Sequence, residues 1–166
     1  SVSAMANQLN GEAIDLLICN AGVYLDKGDE LSNGYTPNVW DDTFATNVTG
    51  VFLTIEALLS NLRAVGGKVA IISSQMGSSE RAVGNAFAYR ASKAAALNLG
   101  RNLAVHLYPD VAVGIYHPGW VQTDMGGAEA DITVDESSSG LLKRFDLLGP
   151  DTTGCFEMWN GEAMPY

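Results

Sequence analysis

A tyrosine and a lysine, Tyr89 and Lys93, stand four residues apart in the run Y-R-A-S-K. If this run is helical, the two side chains lie on the same face, because residues four apart are neighbours on an α-helix. A nearby ammonium favours phenolate over phenol and lowers the pKa of a tyrosine from its ordinary value of about 10. Such a tyrosine can act as an acid or a base near neutral pH. The alternative is a pair of polar side chains on a helix surface.

Short polar or glycine-containing turns follow three apolar runs, at 14–19, 68–73 and 111–116. Such runs are typical of strands buried on both faces of a parallel sheet. Ligands bind at the carboxyl ends of the strands in open α/β sheets, so we expect the turns to line one crevice. The three turns are Asn20-Ala21-Gly22, Ser73-Ser74 and His117-Pro118-Gly119.

Asn47 is a further candidate, because apolar residues surround it within a long segment of helical periodicity. A buried amide that lacks hydrogen-bond partners costs about 1–3 kcal/mol, so a buried Asn47 must find partners elsewhere in the fold. The alternative is an asparagine on the helix surface.

Strands and helices alternate along the whole chain, which predicts an α/β fold with a doubly wound parallel sheet and helices on both faces. There is no internal repeat and no linker, so residues 1–166 are expected to form one domain. The hydrophobic periodicity predicts helices at 2–9, 37–65, 86–106 and 136–148. It predicts strands at 14–19, 68–73, 111–116 and 155–159.

Composition excludes several classes of protein. Hydrophobic residues make up 47% of the 166 residues and charged residues 17%, which is incompatible with a disordered chain. The formal net charge of −10 argues against nucleic-acid and anionic membrane partners. The two cysteines, Cys19 and Cys155, are too few for a disulfide framework or a zinc site. With no visible secretion signal, we expect a cytoplasmic protein without a bound metal.

The motifs, taken in order, resemble those of the short-chain dehydrogenase/reductase family. They are Asn20-Ala21-Gly22, Asn47-Val48-Thr49-Gly50, Ser73-Ser74, Tyr89-x-x-x-Lys93 and Pro118-Gly119-x-Val121-x-Thr123. The tail, with Gly154-Cys155-Phe156 and Asn160-Gly161, is similar to that of the C-factor and sniffer-like carbonyl reductase branch. The resemblance implies a Rossmann-like fold and an NAD(P)-dependent oxidoreductase that interconverts a carbonyl and an alcohol.

The resemblance also implies a role for each motif residue. Tyr89 would be the general acid or base, and Lys93 would lower its pKa and hold the nicotinamide ribose. Ser74, or Ser73 if the register is shifted by one, would hydrogen-bond the substrate oxygen. Asn47 would anchor a water that relays protons to Lys93. The residues implied to contact the cofactor are Asn20, Ala21, Gly22, Tyr89, Lys93, Pro118, Gly119, Val121 and Thr123.

The sequence departs from the family in one respect. The family opens with a T-G-x-x-x-G-x-G loop whose backbone amides receive the cofactor pyrophosphate, and this chain has no such loop. We therefore expect that about 50–60 residues, with the first strands of the sheet, are absent relative to the family. The residue that selects between NAD and NADP would lie in that part, so either cofactor is compatible with the sequence.

Two further function classes compete with the enzyme. A non-catalytic signalling or regulatory protein can share this fold, because fold does not fix function. A serine hydrolase using Ser74 would need a G-x-S-x-G motif, which is missing. The family also implies a small-molecule substrate and a homodimer or homotetramer. Small residues expected at the interface are Ala91, Ala94, Ala95 and Gly100.

Overall fold

A computed structural model of residues 1–166 contains one four-stranded sheet in which every strand is parallel to its neighbour. The strands lie in chain order: β1 (Leu16–Cys19), β2 (Lys68–Ile72), β3 (Ala112–His117) and β4 (Phe156–Met158). Their carboxyl ends therefore open at one edge of the sheet. The parallel α/β fold predicted from the alternating pattern is confirmed.

Six helices and a π-helical turn connect and flank the strands. They are α1 (Val2–Gln8), α2 (Pro37–Phe44), the π-turn (Ala45–Thr49), α3 (Gly50–Ala57), α4 (Leu59–Arg63), α5 (Phe87–Leu107) and α6 (Val134–Leu147). None of the helices combines the length and the apolar composition that crossing a membrane requires. Helix α6 begins two residues before the predicted start, because Thr133 and Glu136 form a capping box.

The sheet is covered on both faces. Helices α3, α4 and α5 pack on one face, where Ile55, Leu62 and Leu107 meet Val69 and Val113. On the other face α6 places the ring of Phe145 against Tyr116, with the ring centroids 5.1 Å apart. This second face is less completely covered over β1, where Ile18 is 42% exposed.

The segment predicted as one helix over 37–65 is divided. The π-turn at Ala45–Thr49 separates α2 from α3, and Leu58 separates α3 from α4. The π-turn surrounds Asn47, whose side chain is buried and hydrogen-bonded to residues outside the helix. These long-range bonds, which local periodicity does not report, accompany the departure from regular α-helix.

Gly100 of α5 does not face outwards, as a helix–helix interface would require. A Cβ atom there would lie 2.5 Å from Cγ1 of Ile115 and 3.3 Å from Cδ1 of Ile71. Gly100 therefore allows α5 to approach the sheet, and its expected place at a subunit interface is wrong. Ala91, Ala94 and Ala95 are half-buried, and a role for them between subunits stays a prediction.

Candidate active site

The carboxyl edge of the sheet and the amino-terminal half of α5 bring four of the predicted side chains together. Asn47 lies in the π-turn, Ser74 follows β2, and Tyr89 and Lys93 lie on α5. Their exposed fractions are 1%, 7%, 7% and 5%. Four buried polar side chains at one sheet edge make this the candidate active site.

Lys93 reaches across the end of β2. Its Nζ donates a hydrogen bond to the carbonyl oxygen of Ile72 at 3.1 Å and lies 5.6 Å from the centroid of the Tyr89 ring. Burial lowers the pKa of Lys93 from 10.5 to about 8. The amine therefore changes charge close to the physiological range, which suits a group that passes protons on.

Tyr89 is held under the ring of Tyr24. The two ring centroids are 4.3 Å apart and the planes are inclined by 20°. Burial raises the pKa of Tyr89 above 10, a hydrogen bond with Ser74 opposes this, and Tyr24 raises the pKa further. The lowering expected from the spacing of Tyr89 and Lys93 is wrong for this structure, because burial of the phenol, which disfavours the charged phenolate, is the largest cause of the shift.

Asn47 uses its side chain to hold the loop that follows β1. Its Nδ2 donates to the carbonyl oxygen of Val23 and to the hydroxyl oxygen of Ser92, both at 2.9 Å. Its Oδ1 accepts from the backbone N–H of Val23 at 2.8 Å. The buried amide therefore has the partners that the sequence analysis required, and the surface alternative is wrong.

Ser73 and Ser74 point to different neighbours. The Ser73 hydroxyl donates to the carbonyl oxygen of Lys93 at 3.1 Å, which ties β2 to α5. The Ser74 hydroxyl oxygen accepts from the backbone N–H of Met76 at 3.1 Å, and Ser74 lowers the pKa of Tyr89. Of the two serines, Ser74 is the one that affects the pKa of Tyr89.

The predicted cofactor residues lie at the ends of β1 and β3. Asn20 and Ala21 are exposed, while a Cβ atom on Gly22 would lie 3.3 Å from Nζ of Lys93 and 3.4 Å from Oδ1 of Asn47. The bare backbone of Gly22 thus leaves room beside the ammonium. The residues after β3, further along the same edge, are Pro118, Gly119, Val121 and Thr123.

Gly119 needs to be glycine for two reasons. Its φ of +89° lies in the left-handed region, and a Cβ atom there would lie 2.5 Å from Ile132 and 2.9 Å from the Trp159 ring. Thr123 is exposed, and its hydroxyl oxygen accepts from the N–H of Gly126 at 3.1 Å. The contacts of Gly119 and Thr123 are thus with residues that follow β3 in the chain.

The sequence analysis missed three residues of the site: Tyr24, Asp26 and Ser92. Asp26 is fully buried and accepts hydrogen bonds from the N–H groups of Ala88 at 2.8 Å and Tyr89 at 3.2 Å. Nothing in the polar loop around it distinguishes this aspartate from the exposed ones. Ser92 was detectable, because it stands one helical turn after Tyr89 on the same run.

His117 is a buried histidine at the end of β3 whose Nδ1 has no hydrogen-bond partner. Burial, with a smaller contribution from Arg81, lowers the pKa of His117 from 6.5 to about 4. Between these pH values the unfolded chain binds a proton that the folded chain does not, so folding stability is lost as the pH falls. Between pH 6.5 and 4 we expect the free energy of unfolding of the wild type to fall by about 3 kcal/mol more than that of His117→Asn.

The measurement is urea unfolding across this pH range. His106→Asn, which changes an exposed histidine, serves as the control and should follow the wild type. If the free energies of unfolding of the wild type and His117→Asn changed equally with pH, His117 would not be buried in its neutral form.

Three comparisons with known proteins bear on the site. The family model described as short chain dehydrogenase matches residues 1–132. The C-signal protein of Myxococcus xanthus is 36% identical over 169 residues, which cover 98% of this chain and 99% of that protein. The residues matched by the family model include every residue of the candidate site.

Two solved structures share the fold. The NADPH-bound carbonyl reductase from chicken fatty liver superimposes with a TM-score of 0.90 at 32% identity, covering all of this chain and 73% of that one. The carbonyl reductase Sniffer of D. melanogaster gives a TM-score of 0.93 at 26% identity, covering 99% of this chain and 73% of that one.

Proposed function

Because the chain belongs to the short-chain dehydrogenase family, as its ordered motifs predicted, we propose that it is an NAD(P)-dependent oxidoreductase that interconverts a carbonyl and an alcohol. The observation that carries the proposal is the joint burial of Asn47, Ser74, Tyr89 and Lys93 at the carboxyl edge of the sheet, with Nζ of Lys93 5.6 Å from the centroid of the Tyr89 ring. The substrate is a small-molecule carbonyl or alcohol that enters at the carboxyl edge of the sheet.

In the proposed reaction Tyr89 supplies the proton. Its raised pKa keeps the phenol protonated at neutral pH, which is the form that a general acid for carbonyl reduction needs. The Ser74 hydroxyl donates to the same substrate oxygen and keeps it beside the phenol. Lys93 then stabilises the phenolate that remains, and a water held at Asn47 returns the proton through Lys93. A bound nicotinamide supplies the hydride.

The residues present fit the nicotinamide side of such a cofactor. The space that a Gly22 side chain would fill borders Lys93 Nζ, and an ammonium with a neighbouring hydroxyl is a donor set for ribose hydroxyl groups. The proposed contacts are Asn20, Ala21, Gly22, Tyr89, Lys93, Pro118, Gly119, Val121 and Thr123. Both NAD and NADP suit this set. The chicken carbonyl reductase holds NADPH.

The pyrophosphate side is different. Residues 1–166 contain no glycine-rich loop before a helix, and the net charge is −10. We therefore expect a polypeptide of these 166 residues alone to bind NADH and NADPH with a Kd of about 1 mM or weaker. Titration calorimetry measures this, with Lys93→Met as the variant that removes the remaining binding. Micromolar affinity would show that another part of this chain binds the phosphates.

A signalling or regulatory protein without catalysis is the second candidate function. The observation that favours it is the C-signal protein, which is similar over 98% of this chain. Against it, Asn47, Ser74, Tyr89 and Lys93 are all present and buried together. A binding protein would not require this combination.

The experiment that separates the two functions uses the protein as its gene encodes it. Purified protein is incubated with NADPH or NADH and a set of aldehydes and ketones, and oxidation of the cofactor is followed by absorbance. We expect turnover that Tyr89→Phe removes. No turnover with any carbonyl, together with no binding of either cofactor, would favour the signalling function. A homodimer or homotetramer and a cytoplasmic location stay predictions.

A further inference from the structure

We propose that the segment Val23–Lys27 is a clamp that positions the Tyr89 phenol, with Asp26 and Tyr24 as its two positioning residues. The segment follows β1 and has no regular secondary structure before residue 25. The proposal rests on the proposed function, because it assigns to the clamp the alignment of the proton donor.

Asp26 holds the backbone of Tyr89. Its carboxylate is fully buried, forms no salt bridge and is bonded to the N–H groups of Ala88 and Tyr89. Ala86, the residue at the start of α5, has a left-handed conformation and gives the helix no side-chain cap. An anionic carboxylate at a helix amino terminus satisfies free N–H groups and the helix dipole. Asp26 therefore caps α5 from a position 62 residues earlier in the chain.

Tyr24 holds the ring of the same residue. Its own ring is stacked on Tyr89 with centroids 4.3 Å apart, so the phenol has little freedom to turn away. Tyr89 is thus fixed at two points, at its amide by Asp26 and at its ring by Tyr24. Both contacts come from one short segment.

The two ends of the segment are themselves fixed. Asn47 makes hydrogen bonds to both the N–H and the carbonyl group of Val23. At the other end Nζ of Lys27 donates to the carbonyl oxygen of Met125 at 2.9 Å, in the loop that follows β3. The clamp therefore contacts the π-turn, α5 and the loop after β3. Because both of its ends are held by hydrogen bonds, it keeps Tyr89 in one position.

The expected consequence concerns turnover more than binding. A general acid works only within hydrogen-bond distance of its target, and a misplacement of about 1 Å can cost about 10²-fold in rate. Loss of either contact should therefore lower kcat while KM changes little. Both contacts act through Tyr89, so removing either of them should not lower kcat further in a protein that already carries Tyr89→Phe.

The test compares Asp26→Asn and Tyr24→Ala with matched controls. The Asp26→Asn substitution keeps one acceptor oxygen but places an amide N–H against a backbone N–H. The control is Asp29→Asn, which changes an exposed aspartate nearby. We expect kcat to fall by about 10–100-fold in Asp26→Asn and Tyr24→Ala, with Asp29→Asn equal to the wild type. Tyr24→Phe, which keeps a stacking ring, should recover most of the activity lost in Tyr24→Ala.

A second measurement needs no substrate. The pKa of Tyr89 is read from phenolate absorbance as the difference between a protein and its Tyr89→Phe counterpart. The groups that face Tyr89 are Tyr24, Ser74, Lys93 and Asp26. Removing the Tyr24 ring admits water to the phenol, so the pKa of Tyr89 should fall towards 10 in Tyr24→Ala.

The outcomes separate the clamp from the proposed function. If Tyr89→Phe is inactive but Asp26→Asn and Tyr24→Ala keep kcat within about twofold of the wild type, the clamp is overturned and the function stands. If no protein shows turnover, an unchanged pKa of Tyr89 in Tyr24→Ala overturns the clamp and a lowered pKa supports it. Should Asp26→Asn fail to fold, Tyr24→Ala and Tyr24→Phe carry the test.

Discussion

Replacing Tyr89 by phenylalanine is expected to lower kcat by about 10²–10⁴-fold, the usual contribution of a positioned general acid. The substitution removes the hydroxyl group and leaves a ring that can still stack on Tyr24. The proton for the substrate oxygen is then missing, while the shape of the site is kept. We therefore expect little change in cofactor affinity. Steady-state kinetics and cofactor titration on the same preparations measure both quantities.

The control for this substitution is Tyr108→Phe, which changes a tyrosine that is 59% exposed at the end of α5. It should keep wild-type kinetics. If Tyr89→Phe retained more than about a tenth of the wild-type kcat, Tyr89 would not be the proton donor.

Replacing Lys93 by methionine should damage turnover and cofactor binding together. The ammonium is proposed both to stabilise the Tyr89 phenolate and to hold the ribose hydroxyl groups. A hydrogen bond to a charged group contributes about 1.5–3 kcal/mol, so losing two of them should lower kcat/KM for the cofactor by about 10²-fold or more. Lys143→Met, at an exposed position on α6, is the matched control. A decrease in kcat with unchanged cofactor affinity would contradict the ribose contact.

The free energy of unfolding shows whether the loss of activity in Lys93→Met is a loss of function or a loss of folding. The pKa of Lys93 is lowered from 10.5 to about 8, so above pH 8 the unfolded chain binds more protons than the folded chain. Stability conferred by Lys93 therefore rises with pH in this range. Relative to Lys93→Met, the wild type should become more stable between pH 8 and about 9.5. Denaturant unfolding of both proteins at matched pH values measures the difference.

The strands and most helices could be predicted from the sequence because their signals are local. The apolar runs before Asn20, Ser73 and His117 became β1, β2 and β3 with ends within two residues of the prediction. Buried parallel strands need a continuous apolar run, and the turn residues that stop each run are visible beside it. The same locality places Tyr89 and Lys93 on one helix face, where the structure has them.

The features that sequence analysis did not predict depend on contacts between distant residues. The π-turn around Asn47 accompanies bonds to Val23 and Ser92, which no periodic pattern within the helix contains. The direction of the Tyr89 pKa shift depends on how deeply the fold buries the phenol. The role of Asp26 depends on its meeting α5 across 62 residues of chain. In each case tertiary packing determined the outcome.

The bond from Asp26 to α5 also bears on how the site opens. Amide protons in the first turn of a helix have no partner within the helix and normally exchange readily with solvent. Those of Ala88 and Tyr89 are instead held by a buried carboxylate from another segment. Their deuterium exchange therefore requires that segment to lift from the helix. The protection factors of these two amides thus report the free energy of local opening at Tyr89, in the resting protein and without any ligand.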